Sequence, residues 1–173
     1  MTPPIRTAPI GSRRLGLLLI AIIFAADQLT KLVMADLLLD RPWPQQILVL
    51  PPWFNLTVVW NRGVSFGLLA ADSREAAWLL SALAIAVAIG LGVWLKRADT
   101  RVTALALGAI IGGALGNVVD RLRWGAVFDF FDFSGLWFPY VFNVADAAIS
   151  LGVAALVLDG LIGHKAAKRD ASS

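Results

Sequence analysis

Asp27, Asn61, Asn117, Asp120, Asp129, Asn143 and Asp146 stand in a chain otherwise suited to lipid, and all seven fall toward the same end of its apolar segments. Carboxyl and carboxamide groups are costly in or beside hydrocarbon, so their gathering at one depth reads as a site. Two carboxyl groups held together can hydrolyse a peptide bond, because one shared proton makes one member a general acid and the other a general base. Competing chemistries have few residues to draw on. The chain has no cysteine, which excludes disulfides, a thiolate nucleophile and cysteine-ligated metals, and its one histidine, His164, lies in a basic tail. A histidine-dependent hydrolase would have to bring that side chain across the bilayer, and a zinc site lacks its usual ligands. Paired acids need no metal and no cofactor.

The elements that must position these groups follow from composition. Of 173 residues, 58% are hydrophobic and 16% charged, with a mean hydropathy of +0.75, which predicts one small integral membrane domain over about residues 1–163. Four apolar runs, about 15–39, 76–95, 102–119 and 144–162, are each close to the roughly 20 residues of a spanning helix. The first carries Asp27 and Lys31 within it, and its length and internal charge favour a retained helix over a cleaved secretory signal.

Basic residues set the orientation. Arg6, Arg13, Arg14, Lys96, Arg97, Arg101, Lys165, Lys168 and Arg169 lie on one side, against Arg41, Arg62, Arg74, Arg121 and Arg123 on the other. This bias places both termini in the cytoplasm and makes the pI near 9.8 a matter of topology, with no nucleic-acid partner needed. Residues 1–14 and 164–173 are expected to be disordered, the latter as a basic cytoplasmic tail near anionic lipid. Counting from Leu15 at about 1.5 Å per residue, Asp27 lies roughly 18 Å and Lys31 roughly 24 Å along the first helix, beyond the midplane toward the outside. Asn117 ends the outward third helix, Asp146 starts the inward fourth, and Asp120 and Asp129 are expected in the connection between them.

Residues 40–72 are too long for a simple turn, and Ile47, Val49, Leu56, Val58 and Trp60 alternate enough to predict a small extracytoplasmic sheet. Asn61-Arg62-Gly63 fits a hairpin turn, a substrate-facing role, or both. Ser73 is a candidate cap for the second helix. Gly108, Gly112 and Gly116 form one row on the third helix, and Gly113 and Asn117 an adjacent one, so another backbone can approach closely. Asn117 and Asp120 fit either the site or a structural clamp, with Asp120 paired to Arg121 or Lys31. Aromatic residues crowd 124–142 and suit a headgroup belt, or a lid that shields the site. Asp129 lies between Phe128 and Phe130, where desolvation would favour its neutral form. Asn143 and Asp146, three apart at a helix start, either share a face or cap the first turn.

The runs AADQLTK (25–31), NRGVSFG (61–67), GGALGNVVDR (112–121), GAVFDF (125–130) and FNVADAAIS (142–150) resemble, in order and over nearly the whole chain, lipoprotein signal peptidase, the signal peptidase II family of bacterial aspartyl membrane proteases. The resemblance implies a mainly α membrane protein with four transmembrane helices and a small extracytoplasmic β-sheet. It implies an endopeptidase of the bacterial inner membrane that removes signal peptides from prolipoproteins, cutting on the amino side of a diacylglyceryl-modified cysteine at the outer leaflet. Asp129 and Asp146 match the catalytic pair. Asn61, Asn117, Arg121 and Asn143 match substrate-binding or orienting positions, and Asp27, Lys31 and Asp120 supporting ones. Asp132 matches no role, and with Asp120 it competes as the loop acid nearest the scissile bond. The partners implied are the lipid-modified substrates and membrane lipid, and a monomer suffices to hold the site. A proton-coupled transporter or channel subunit is the main alternative, though such sites favour the midplane and repeated broken helices. A purely structural membrane subunit explains the glycines but not the acids.

Overall fold

The computed structural model describes residues 10–63 and 74–170. Four helices, α1 (Ile10–Leu38), α2 (Arg74–Leu95), α3 (Arg101–Trp124) and α4 (Val144–Asp170), are each long and apolar enough to cross a membrane. α3 is the central one: 67% of its most apolar window is buried, against 11%, 22% and 17% for α1, α2 and α4, whose outer faces are left for lipid. Its glycines make this possible. A Cβ at Gly108 would meet the Gly16 carbonyl oxygen of α1 at 2.5 Å, one at Gly112 the Ile20 carbonyl at 2.9 Å, and one at Gly113 the Ala145 carbonyl of α4 at 2.5 Å. The two glycine rows therefore seat two different helices, α1 on one and α4 on the other.

Helix ends differ from the apolar runs. α1 begins at Ile10 and α4 continues to Asp170, so residues 10–14 and 164–170 are helical rather than disordered. Extending a helix already fixed by its packed turns adds a hydrogen bond for each residue ordered, which polar sequence alone does not oppose. α3 starts where the Thr100 hydroxyl accepts from the Thr103 amide at 2.9 Å, and ends at Gly125, whose φ of 75° lets its N–H return to the Arg121 carbonyl. Asp120 and Arg121 are consequently helical, not part of the following connection. Asp159, a further charge within the apolar run of α4, accepts from Thr103 Oγ1 at 2.7 Å and Thr100 Oγ1 at 3.1 Å, tying the start of α3 to α4. Ser73 lies outside the described residues.

The sheet is antiparallel, in the order β1 (Ile47–Leu50), β2 (Phe54–Asn61), β3 (Val127–Asp132), β4 (Val141–Phe142). Half of it comes from the aromatic segment that composition alone assigns to a membrane belt, because Val127-Phe128-Asp129-Phe130-Phe131 is β-forming and pairs with β2. Asn61 ends β2 opposite Val127 and its Oδ1 accepts from the Gly63 amide at 2.9 Å, while the segment that would complete a hairpin after Asn61-Arg62-Gly63 lies outside the described residues. Strand alternation gives the sheet two faces. Phe128 and Phe130 point into a core with Leu38 at the end of α1, Phe128 stacking on Trp60 at 5.1 Å. Asp129, opposite Val59, points the other way, with Asn61 as its diagonal neighbour.

Candidate active site

The site is assembled where the sheet-side ends of α1, α3 and α4 meet β3. At its base Lys31 is 1% exposed and lies between two fully buried acids, 2.8 Å from Asp27 and 2.6 Å from Asp120. Every oxygen of those acids is engaged. Asp27 Oδ1 accepts from the Ala145 amide at the start of α4 at 3.0 Å, and its Oδ2 from Gln28 Nε2 at 3.1 Å as well as from Lys31. Asp120 Oδ2 accepts from the Phe128 amide of β3 at 3.1 Å, and its Oδ1 from Gln28 Nε2 at 3.4 Å. The clamp expected between Asp120 and a basic residue thus forms with Lys31, and it pins three helices and one strand together. Burying three charges is tolerable only with this degree of pairing. Gln28 is a member that sequence reading missed, although it stands in the run AADQLTK beside Asp27.

A relay of amides connects this base to the acids above it. Lys31 Nζ has only protons to give, so it fixes Asn117 Oδ1 as the acceptor at 3.2 Å and turns Asn117 Nδ2 toward Asp146 Oδ1 at 2.8 Å. Asn143 Nδ2 donates to Asp129 Oδ1 at 2.7 Å, to Asn117 Oδ1 at 3.2 Å and to the Phe128 carbonyl at 3.3 Å. Asn143 also caps α4, its Oδ1 accepting from the Asp146 amide at 2.9 Å, while Asp146 Oδ2 accepts from the Asn143 amide at 3.4 Å. This is a reciprocal capping box. The cap expected of Asn143 is therefore present, and the same side chain also reaches Asp129.

Asp129 and Asp146 both hang on Asn143 and differ in how they are satisfied. Asp146, partly exposed, has a donor on each oxygen and stands in the first turn of α4. Asp129 is 1% exposed, and its Oδ2 has no hydrogen-bond partner. Burial raises the Asp129 pKa to about 7, and the Asp146 charge pushes in the same direction, against hydrogen bonding from Asn143, the nearby Asn61 amide and the more distant Lys31 charge. Asn61 biases the carboxyl toward its anion without reaching Oδ2 in hydrogen-bond geometry. Burial pushes Asp129 in the direction expected from the sequence, although by alternation the flanking rings of Phe128 and Phe130 point to the opposite face of β3.

Arg121 is within electrostatic reach of Asp146, Asp120 and Asp129, with its Nη1 donating to the Asn117 carbonyl at 3.5 Å and its Nε buried without a partner. Asp132 falls on the far face of β3 by alternation, and its Oδ1 accepts from the Ser134 amide at 2.9 Å. Neither competitor is therefore free beside Asp146, since Asp120 is held by Lys31 and Phe128 and Asp132 faces away. Two cavities flank the pair. One, of about 530 Å³, is lined by Asn61, Arg62, Asp129 and Tyr140, and the other, of about 500 Å³, by Asn61, Phe138, Phe142, Asp146 and Leu151. Among the described residues no three His, Cys, Asp or Glu side chains gather as a metal site.

Known proteins share this architecture. The family model described as signal peptidase (SPase) II matches residues 19–162. The chain is 51% identical over 152 residues to a lipoprotein signal peptidase of Methylobacterium radiotolerans, covering 86% of each protein. It is 45% identical over 146 residues to one from Caulobacter vibrioides, covering 84% of this chain and 85% of that one. A solved structure described as a bacterial membrane enzyme at 1.9 Å resolution superposes with a TM-score of 0.73 at 25% identity, covering 91% of this chain and 97% of its own. The match extends from α1 into α4 and includes every residue of the amide relay, and the chain belongs to the signal peptidase II family.

Proposed function

We propose that Asp129 and Asp146 are the catalytic dyad with which this protease removes signal peptides from prolipoproteins, cutting on the amino side of a diacylglyceryl-modified cysteine. The observation that carries the assignment is the unequal satisfaction of two carboxyl groups on one asparagine. Asp146, doubly hydrogen-bonded, suits the charged member that takes a proton from water. Asp129, buried with a free oxygen and a pKa of about 7, suits the protonated member. Water gives a proton to Asp146 as its oxygen bonds to the carbonyl carbon before the modified cysteine and Asp129 protonates the carbonyl oxygen; when the C–N bond breaks, Asp146 passes its proton to the leaving amine and a hydroxyl of the intermediate returns one to Asp129. Asn117 and Asn143 orient the dyad. Asn61, which lines both cavities, and Arg121, within electrostatic reach of the dyad, bind substrate carbonyls, while Asp27, Lys31 and Asp120 hold the frame.

In this reading the protein spans the inner membrane four times with both termini in the cytoplasm, and the dyad works at the outer leaflet. The excess of Lys and Arg at the end remote from the sheet supports that orientation. The more polar cavity beside Asp129 suits the extended peptide, and the more apolar one beside Asp146 suits the acyl chains, which stay at the level of the lipid. One chain supplies every group, so a monomer is sufficient. Incubation of Asp129→Asn and Asp146→Asn with a diacylglyceryl-modified preprolipoprotein tests the assignment. Each variant is expected to insert and fold yet release no signal peptide, and a normal rate in either removes that residue from the dyad.

A further inference from the structure

α1 and α2 each pack mainly on α3 rather than on each other, which leaves a crevice between them open to the bilayer at the end remote from the dyad. It encloses about 390 Å³, floored by Ile111 of α3 and walled by Leu17 and Ile20 of α1 and Ile89 and Val93 of α2. At its mouth stand two cations from different helices, Arg13 near the start of α1 and Lys96 one residue past the end of α2. Both are exposed, and neither has an ion-pair partner among the described residues. The shaft from Lys96 back to Ile89 is about 10 Å long at the helical rise. Gly92 leaves its wall bare, with no atom within 4 Å of where a Cβ would stand.

An apolar slot of that depth with two unpaired cations at the membrane boundary is complementary to a molecule with a negative head and a hydrocarbon tail. We propose that this crevice binds one anionic phospholipid, its phosphate between Arg13 and Lys96 and the upper part of an acyl chain along Leu17, Ile20 and Val93. The charge pairing makes the headgroup selective, because a zwitterionic lipid brings its own cation to the same place. On the sidedness given above, the bound lipid belongs to the cytoplasmic leaflet, so the site is separate from the one that receives the substrate's acyl chains. Its occupancy is independent of the dyad, and an inactive Asp129→Asn protein binds the lipid as well as the wild type does.

Native mass spectrometry of the detergent-solubilised protein, offered equal amounts of phosphatidylglycerol and phosphatidylcholine with the same acyl chains, reads the preference. The wild type is expected to retain one phosphatidylglycerol with a preference of roughly tenfold, the scale of two basic side chains near an anionic headgroup. Arg13→Gln with Lys96→Gln abolishes the preference. Gly92→Phe, whose Cβ would stand clear of other atoms, puts a ring into the slot and removes the retained lipid, while Gly90→Phe, equally open at its Cβ but outside the crevice, behaves as wild type. No preference in the wild type, or a preference that survives Gly92→Phe, overturns the proposal and leaves the crevice to ordinary annular lipid or to another part of this chain.

Discussion

Replacing Asn143 by alanine separates the structural and chemical duties of one side chain. Two bonds decide the outcome: the 2.9 Å cap on the Asp146 amide and the 2.7 Å bond to Asp129 Oδ1. Loss of an N-cap costs about 1 kcal/mol of stability, a modest fall in unfolding temperature for a helix as well packed as α4. Loss of the bond to the acid costs about 1.5–3 kcal/mol where the acid is charged or sharing charge, which is roughly a 10- to 150-fold drop in kcat/KM. The pH profile carries the sharper signature. Asp129 acts protonated in the proposed mechanism, so wild-type activity falls as pH rises through about 7. The Asn143 bond holds that pKa down, and its removal moves the alkaline limb to higher pH. Cleavage of a fluorogenic diacylglyceryl peptide from pH 5 to 9, with thermal unfolding followed in parallel, measures both effects. A loss below about threefold, or a limb that moves to lower pH, refutes the assignment of Asp129 as the proton donor.

Other substitutions test the frame. A methyl at Gly116 would overlap the Asp27 carboxylate, so Gly116→Ala should force α1 from α3. We expect a loss of about 1–3 kcal/mol with sharply reduced cleavage, and wild-type stability would contradict that close approach. Lys31→Met strands two buried carboxylates and should destabilise by about 3–5 kcal/mol, seen as poor accumulation or early unfolding in mild detergent. Adding Asp27→Asn and Asp120→Asn to Lys31→Met should restore much of the fold, a result that a specific need for the lysine's shape would not allow. Asp132→Asn, on the far face of β3, should leave cleavage within about twofold, because an asparagine oxygen can still accept from the Ser134 amide.

Legibility in the sequence followed the range of the interactions. Four spans, a sheet after the first of them, and the gathering of the acids toward one end of the spans could be read because hydropathy and helical rise are local properties of the chain. The same held for the glycine rows of α3, whose four-residue spacing announces close packing without naming the partner. Resemblance at five short runs singled out Asp129 and Asp146, and neither polarity nor spacing would have separated them from Asp120 and Asp132. The second half of the sheet was concealed, since Val127 to Phe131 has a composition equally suited to a membrane belt and becomes a strand only by pairing with β2.

The chain by itself determined that a small membrane protein carries paired acids at one depth, because the cost of polar groups in lipid is a property of each residue and its neighbours. Tertiary structure alone decided which acids stay available. It consumed Asp27 and Asp120 on Lys31, turned Asp132 to the other face of β3 because an odd number of positions separates it from Asp129, and left Asp129 buried with a free oxygen next to Asp146. Those assignments depend on which backbone amides and side-chain donors arrive from distant segments. Ala145 meets Asp27 and Phe128 meets Asp120 only after the helices and the sheet have packed.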